Sequence, residues 1–216
     1  LSVLKQSWTQ TLFFREGPFG IYPINVMRNV ARRGAPSGIH ILSDIEMIFS
    51  AKFATLAKKL ANEHVQKDSK KIIVFRAHEY HHKLFPIGHT IEALWEWFRR
   101  SKAKANPYVW EIPYKHSSWE PQFIMHATMP LSEEGIPTRL RDQQALAYEL
   151  CRANYTFLLV SQLFNVHRGV KRVSTNFDTA VVRHQSKLRA NAFKKFVSRM
   201  DSMYPNTTKR CGDFIM

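Results

Sequence analysis

The chain has 216 residues, of which 44% are hydrophobic and 12% aromatic, and its formal net charge at neutral pH is +15. This length suits one folded domain, and the hydrophobic content excludes an intrinsically disordered chain. The apolar runs, such as residues 157–160, are far shorter than the roughly 20 residues needed to cross a membrane. Basic residues are scattered and not interleaved with aromatics, so no nucleic acid is expected as a partner. The sequence predicts a single domain over residues 1–216.

The first predicted elements are a helix and a short strand. Pro23 stands where a helix can begin, and Gly34 follows two arginines as a helix-ending glycine would. Between them, apolar residues recur at helical spacing, at Ile24, Met27 and Val30. Residues 38–43 then form an apolar run short enough for one buried strand.

An acidic triplet, Asp44-Ile45-Glu46, follows directly on that strand. In an extended segment residues two apart point the same way, so both carboxylates would reach one side of the strand end. Two carboxylates on one side can hold a hard divalent cation such as Mn²⁺ or Mg²⁺. A metal there would stabilise a departing diphosphate, the leaving group of many transferases.

The next elements predict an α/β arrangement. An amphipathic helix is expected over 50–65 and a strand over 72–75, so strand, helix and strand follow in the order typical of parallel pairing. Residues 83–130 are irregular, with one helix expected over 91–100.

The C-terminal third predicts three more elements. Asp142 is placed to be the N-cap of a helix, and residues 155–160 read as a strand. A last helix, with apolar residues from Leu188 to Met200, should end at Tyr204-Pro205.

A zinc-protease motif, H-E-x-x-H, occurs at His78, Glu79 and His82. In that chemistry both histidines lie one helical turn apart on a helix and bind zinc, while the glutamate activates water. Here the motif follows a predicted strand, and Pro86 comes four residues after His82. A polar loop is the favoured interpretation, and a zinc hydrolase remains an alternative.

Two cysteines and two glycosylation sequons complete the motifs. Cys151 and Cys211 could pair or both be free. The sequons, at 154–156 and 206–208, favour a secretory compartment only weakly, because such triplets also arise by chance.

Five segments between residues 22 and 211 resemble motifs of the LARGE-like glycosyltransferases that modify dystroglycan (glycosyltransferase family 49), most strongly its β-1,4-glucuronyltransferase branch. The segments are Y-P-I-N-V-M-R-N-V-A at 22–31, L-S-D-I-E-M at 42–47, W-E-P at 119–121, the stretch from 149 to V-H-R-G at 166–169, and Y-P-N with K-R-C at 204–211. Each match is short, but all five occur in the order of the family.

The resemblance implies an α/β fold of the GT-A type, in which helices flank a Rossmann-type sheet. It implies that the D-x-D motif holds Mn²⁺ or Mg²⁺ against the diphosphate of a UDP-sugar. Asp44 and Glu46 occupy the D-x-D positions, and His167 occupies that of a third metal ligand. The donor of the most similar branch is UDP-glucuronate, and its acceptor is a xylose-ended O-mannosyl glycan.

The acceptor side of such a site needs a base for the attacking hydroxyl. Glu120 is the first candidate for base or acceptor binding, and Trp119 is a candidate platform for stacking a sugar. Packing in the core is the competing explanation for Trp119. Asp142 is the second candidate base, with the N-cap role as its alternative.

The chain also departs from the family. Glu46 stands where an aspartate is usual, and residues 136–142 lack the glycine and asparagine of the matching family segment. The first nucleotide-binding strands are expected to be missing or very short, with a membrane anchor upstream of Leu1 and residence in the Golgi lumen. A catalytically inactive family member that acts as a binding domain is the alternative.

Overall fold

The computed structural model describes residues 22–80, 109–168 and 175–215. These residues form one mixed sheet with helices packed around it, which confirms the predicted α/β class. The strands are β1 (Ile39–Leu42), β2 (Met47–Phe49), β3 (Lys71–Tyr80), β4 (Val109–Ile112), β5 (Gln122–His126) and β6 (Thr156–Arg168). The helices are α1 (Ile24–Gly34), α2 (Phe53–His64), α3 (Asp142–Arg152), α4 (Asn176–Met203) and α5 (Thr208–Cys211), with a 3₁₀ turn at Pro205–Thr207. The helix predicted over 91–100 lies outside the described residues.

The sheet is organised around the long strand β6. Its order is β1-β5-β3-β6-β2, and β4 pairs with β6 as well. Only β3 and β6 run parallel as neighbours, whereas the other pairs are antiparallel. β4 pairs with residues 157–160 of β6 and β2 with residues 165–167, so these two short strands lie one after the other along the edge of β6 opposite β3.

The predicted parallel pairing of the first two strands was wrong. β1 and β3 run in the same direction, but β5 lies between them and pairs antiparallel with both. β5 lies in the stretch expected to be irregular, yet residues 122–125 are all buried. A strand covered on both faces shows no polar alternation, so its pattern is difficult to recognise from sequence.

The core joins the sheet to α2, α3 and α4. Residues 72–75 of β3 and 123–125 of β5 are almost completely buried. The buried residues of α2 recur at i, i+4, i+7 and i+8, at Phe53, Ala57, Leu60 and Ala61. This spacing covers one face of a helix, as predicted for residues 50–65.

The buried face of α1 is polar, which corrects the apolar stripe predicted for this helix. Its buried residues are Asn25, Asn29 and Arg32, whereas Ile24, Met27 and Val30 are only half-buried. Asn29 Nδ2 donates to Ser132 O at 2.8 Å, and Ser132 N donates to Asn29 Oδ1 at the same distance. Arg32 donates to Pro130 O at 2.6 Å and to Met129 O at 2.9 Å. α1 is therefore attached to loop 129–134 by hydrogen bonds to backbone groups.

The C-terminal end of α3 is joined to the end of the chain by Arg152, whose side chain is fully buried. Its guanidinium donates to the Tyr148 hydroxyl at 2.7 Å, to Tyr204 O at 2.9 Å and to Met200 O at 3.1 Å. It also contacts Asp201 at 2.9 Å. No sequence pattern indicated this role, because three of these four partners lie about 50 residues away along the chain and two of the four are backbone carbonyls.

A disulfide between Cys151 and Cys211 joins the same two regions and resolves the alternatives left open by the sequence. Both cysteines are buried. Closing a loop of 60 residues should stabilise the fold by about 4 kcal/mol in the chain-entropy account.

We expect the variant Cys211→Ser to lose about 2–5 kcal/mol of unfolding free energy. Urea unfolding of the variant, compared with the oxidised and reduced wild-type chain, measures this loss. Reduced wild type should resemble the variant. Equal stability of all three samples would contradict a disulfide that constrains the unfolded chain.

Among the helices in the described ranges, none has both the length and the hydrophobicity required to cross a membrane.

Candidate functional site

The acidic triplet forms a turn between β1 and β2. Met47 N donates to Asp44 O at 3.2 Å, and Ile45 at the tip is fully exposed. The extended geometry predicted for Asp44 and Glu46 was therefore wrong, because the chain reverses direction here to enter β2. The turn nevertheless brings both carboxylates to the same end of the sheet as the end of β6.

His167 lies next to this turn through the pairing of β2 with β6. The pairing sets His167 opposite Met47, the residue that follows Glu46. His167 Nε2 lies 3.5 Å from Glu46 Oε1. Residues separated by more than 100 positions in the sequence thus come together as the resemblance implies.

Arg28 of α1 faces the turn and links it to α3. Its guanidinium lies 3.8 Å from Asp44 Oδ1 and 3.6 Å from Asp142 Oδ2. It also donates to Asn25 Oδ1 at 3.1 Å and to Gln143 Oε1 at 3.2 Å. One cation is thus shared between two carboxylates from different parts of the chain.

Sequence reasoning assigned no role to Arg28, although it lies within the matched segment 22–31. The signal was the spacing of polar residues at i, i+3, i+4 and i+7, which are Asn25, Arg28, Asn29 and Arg32. Such a stripe normally indicates a solvated helix face, and here it is the face that packs.

The electrostatics of the site centre on Asp44. Burial raises the pKa of its carboxyl group, and the positive charge of Arg28 lowers it in partial compensation. The negative charges of Glu46 and Asp142 raise this pKa further. Asp44 thus lies in a region of excess negative charge, which favours a cation.

The sequence predicted Asp142 as the N-cap of α3, but Asp142 is instead the first residue of the helix. The N-cap is Arg141, in a left-handed conformation with φ of 62°. Asp142 Oδ1 accepts a hydrogen bond from Gln143 N at 2.8 Å, and the carboxylate lies at the positive end of the helix dipole. Asp142 is buried and also paired with Arg28, so a structural role accounts for its contacts.

Glu120 lies beside these groups and is accessible to solvent. Its Oε2 accepts a hydrogen bond from Gln144 Nε2 at 3.1 Å. Partial withdrawal from water raises the pKa of Glu120, and the charges of Asp142 and Asp44 raise it further. A carboxyl group with a raised pKa that remains accessible has the properties needed for proton transfer.

Trp119 packs on the core. Its ring centroid lies 5.1 Å from that of Phe157 and 5.7 Å from that of Tyr114, both edge-on. The ring is only half-buried. The core-packing explanation thus accounts for these contacts, and stacking against a sugar stays a prediction.

The predicted metal ligands fit a divalent cation by their chemistry. Two carboxylates and one imidazole suit Mn²⁺, and the Glu46 and His167 donor atoms are close enough to bind one ion. Within the described ranges, however, no group of three His, Cys, Asp or Glu side chains is spaced to hold a metal. Asp44 lies against Arg28 instead, so it would have to turn toward the other two to complete the set.

The zinc-hydrolase alternative is not supported by the backbone. His78 and Glu79 belong to β3, which is extended up to Tyr80, and His82 lies outside the described residues. An extended strand cannot supply the helical turn that brings the two histidines of H-E-x-x-H together.

Replacing Arg28 should destabilise the fold, because Asp44 and Asp142 would lose the cation that pairs with them. Only 16% of the Arg28 side chain and 11% of that of Asp142 are exposed. We expect Arg28→Ala to lose about 2–3 kcal/mol of unfolding free energy, because Asp142 would remain buried without its cation. Arg28→Lys should recover part of the loss, since an ammonium retains the charge but not the forked hydrogen bonds. Denaturant unfolding measures both, and an Arg28→Ala variant as stable as wild type would contradict this role.

Comparison with known proteins shows the family of the chain. The family described as "Glycosyl-transferase for dystroglycan" matches residues 3–80 and 70–205 of the chain. The chain therefore belongs to this family of glycosyltransferases.

A beta-1,4-glucuronyltransferase 1 from Danio rerio is 27% identical over 220 aligned positions, which cover 88% of this chain and 49% of that protein. The chain thus spans about half the length of this relative. Among solved structures, GalNAc-T7, crystallised with UDP, GalNAc and Mn²⁺, matches over 84% of this chain and 44% of its own. The TM-score is 0.44 and the identity 12%, too low to infer a shared ligand.

Proposed function

We propose that the chain is a metal-dependent glycosyltransferase that moves a sugar, most specifically glucuronate, from a UDP-sugar to a glycan acceptor. The acceptor belongs to protein O-mannosyl glycosylation. The observation that carries the proposal is the position of Glu46, His167 and Asp44 together at one end of the sheet, in a chain of this family.

On the donor side, Asp44, Glu46 and His167 would hold Mn²⁺ or Mg²⁺. The ion supplies positive charge to the diphosphate as UDP departs. Arg28 offsets part of the negative charge of Asp44 and Asp142, and it is near enough to contribute charge to the same region. Because a guanidinium binds phosphate and carboxylate oxygens in pairs, Arg28 is also suited to the anionic donor.

On the acceptor side, Glu120 would take the proton from the attacking hydroxyl. Its accessibility and its raised pKa support this role, since a base works best when its pKa approaches the working pH. Asp142 is the second candidate, but its pairing with Arg28 and with the start of α3 makes it better suited to positioning. Trp119, half-buried beside Glu120, would offer its open part to the acceptor sugar.

The proposed place of action is the Golgi lumen, in a full-length type II membrane protein whose anchor lies upstream of this segment. The disulfide Cys151–Cys211 supports an oxidising compartment, because such bonds are rare in the cytosol. Its partners are the nucleotide-sugar donor and a glycan or glycoprotein acceptor.

Transfer assays with a panel of UDP-sugars test the proposal. With Mn²⁺ and a xylose-ended acceptor, UDP-glucuronate should give a product one glucuronate heavier by mass spectrometry, and EDTA should abolish it. Glu120→Gln should reduce the rate about 10²–10⁴-fold while UDP binding is retained. UDP binding without transfer from any donor would instead support the inactive binding domain, for which the substitution of the usual aspartate by Glu46 is the motivating observation.

A further inference from the structure

We propose that Asn154 and Asn206 are acceptor sites for N-linked glycans, and that the two glycans lie together at the disulfide corner of the fold. Asn154 follows Cys151 by three residues, and Asn206 precedes Cys211 by five. Because Cys151 and Cys211 are bonded, the two sequons are brought to one surface. This modification is separate from the transferase activity proposed above.

The conformation of Asn154 leaves its reactive nitrogen available. Asn154 is exposed and has a φ of 66°, and its backbone nitrogen donates to Cys151 O at 2.9 Å. Its side-chain Oδ1 accepts a hydrogen bond from Arg210 Nη1. Because a guanidinium can only donate, the amide oxygen must face Arg210, and Nδ2 is turned away from it. Attachment of a glycan at Nδ2 therefore preserves this hydrogen bond.

Asn206 lies in the 3₁₀ turn between α4 and α5. Its side chain is exposed, and it has no hydrogen-bond partner among the residues that the structure describes. The neighbouring Thr207 is the residue that holds the turn, since its hydroxyl donates to Arg152 O at 2.8 Å. The fold thus depends on Thr207 and leaves Asn206 free to carry a sugar.

Both sequons are far from the candidate site. α3 has 11 residues, so Asp142 at its start and Asn154 beyond its end are separated by at least about 16 Å. β6 begins at Thr156, the hydroxyl residue of the first sequon, and ends beside His167. Glycans at this corner leave the donor and acceptor side of the sheet open.

The chemistry is a group transfer by the host's oligosaccharyltransferase. The asparagine Nδ2 forms a bond to the anomeric carbon of a lipid-diphosphate-linked oligosaccharide. The bond between that carbon and the diphosphate oxygen breaks, and the lipid diphosphate leaves with the bonding electrons. The amide loses one proton to a base of that enzyme. The Asn-x-Thr sequons and a buried disulfide both fit a chain that meets this machinery.

Glycopeptide mapping of the chain secreted from a eukaryotic host tests the proposal without any substitution. Peptide-N-glycosidase releases N-linked glycans and leaves aspartate, so both Asn154 and Asn206 should be recovered as aspartate only after treatment. On a denaturing gel the apparent mass of the intact chain should fall in two steps, one for each glycan that is removed. Either asparagine recovered unchanged in the secreted, disulfide-bonded chain overturns the assignment for that site.

Paired substitutions distinguish the loss of a glycan from damage to the fold. Thr208→Val should remove the glycan at Asn206, whereas Thr208→Ser should retain it, because serine keeps the hydroxyl. Asn154→Gln should remove one step from the gel pattern and leave the glycan at Asn206 unchanged. Loss of no step in Asn154→Gln, or retention of the glycan in Thr208→Val, would contradict the proposal. All three variants should keep the Cys151–Cys211 bond, which thiol labelling under denaturing conditions verifies.

Discussion

Asp44→Asn should abolish the Mn²⁺-dependent part of UDP binding while leaving the fold intact. The substitution removes the charge of a proposed ligand, and loss of even an outer contact to a metal typically costs 10–100-fold in affinity. We therefore expect UDP affinity in the presence of Mn²⁺ to fall at least about 100-fold. Isothermal titration of UDP into wild type and variant, each with Mn²⁺ and with EDTA, measures the difference.

The fold should tolerate this change, because Asp44 is partly exposed and its ion pair with Arg28 is 3.8 Å long. Unfolding free energy should change by less than about 1 kcal/mol. Asp68→Asn is the matched control, since Asp68 is exposed in the turn before β3 and should retain wild-type binding. Unchanged nucleotide affinity in Asp44→Asn would refute the metal assignment.

Arg152→Ala should strongly destabilise the fold. It would remove one hydrogen bond each from the backbone carbonyls of Met200 and Tyr204 and from the Tyr148 hydroxyl, and it would leave a cavity where the buried guanidinium lay. A hydrogen bond from a charged group contributes about 1.5–3 kcal/mol, and several such bonds are lost together, so we expect a loss of about 3–5 kcal/mol. For a chain of this size that corresponds to a melting temperature lower by about 10 °C.

Thermal unfolding by circular dichroism measures the effect of Arg152→Ala. Arg183→Ala is the control, because Arg183 is exposed on α4 and the same truncation there should change stability by less than about 0.5 kcal/mol. A loss in Arg152→Ala no larger than in the control would show that the buried guanidinium does not hold the C-terminal segment.

Much of the fold could be predicted wherever one strong local pattern was present. α2 and α4 have helical apolar spacing, and β1 and the start of β3 are compact apolar runs. The order of the strands was not predictable, because pairing depends on contacts distant in sequence. The insertion of β5 between β1 and β3 is the clearest example.

The candidate site shows the same division. Asp44, Glu46, His167, Glu120 and Asp142 could be nominated from motif and resemblance, and the fold brings them to one region. The turn at Asp44 was missed because a triplet as short as Asp44-Ile45-Glu46 is compatible with both a tight turn and an extended strand. Arg28 was missed because a polar stripe on a helix normally indicates a face exposed to solvent. Its role follows only from what α1 packs against.

Counting bound Mn²⁺ is the most direct measurement of the central claim. Electron paramagnetic resonance of free Mn²⁺, titrated into the chain with saturating UDP, reports the ions that remain unbound. The proposed site predicts one bound Mn²⁺ per chain with UDP present, and none in Asp44→Asn or His167→Ala. A free-ion signal in wild type no lower than in a protein-free sample with the same UDP and Mn²⁺ would contradict a metal-dependent donor site formed by Asp44, Glu46 and His167.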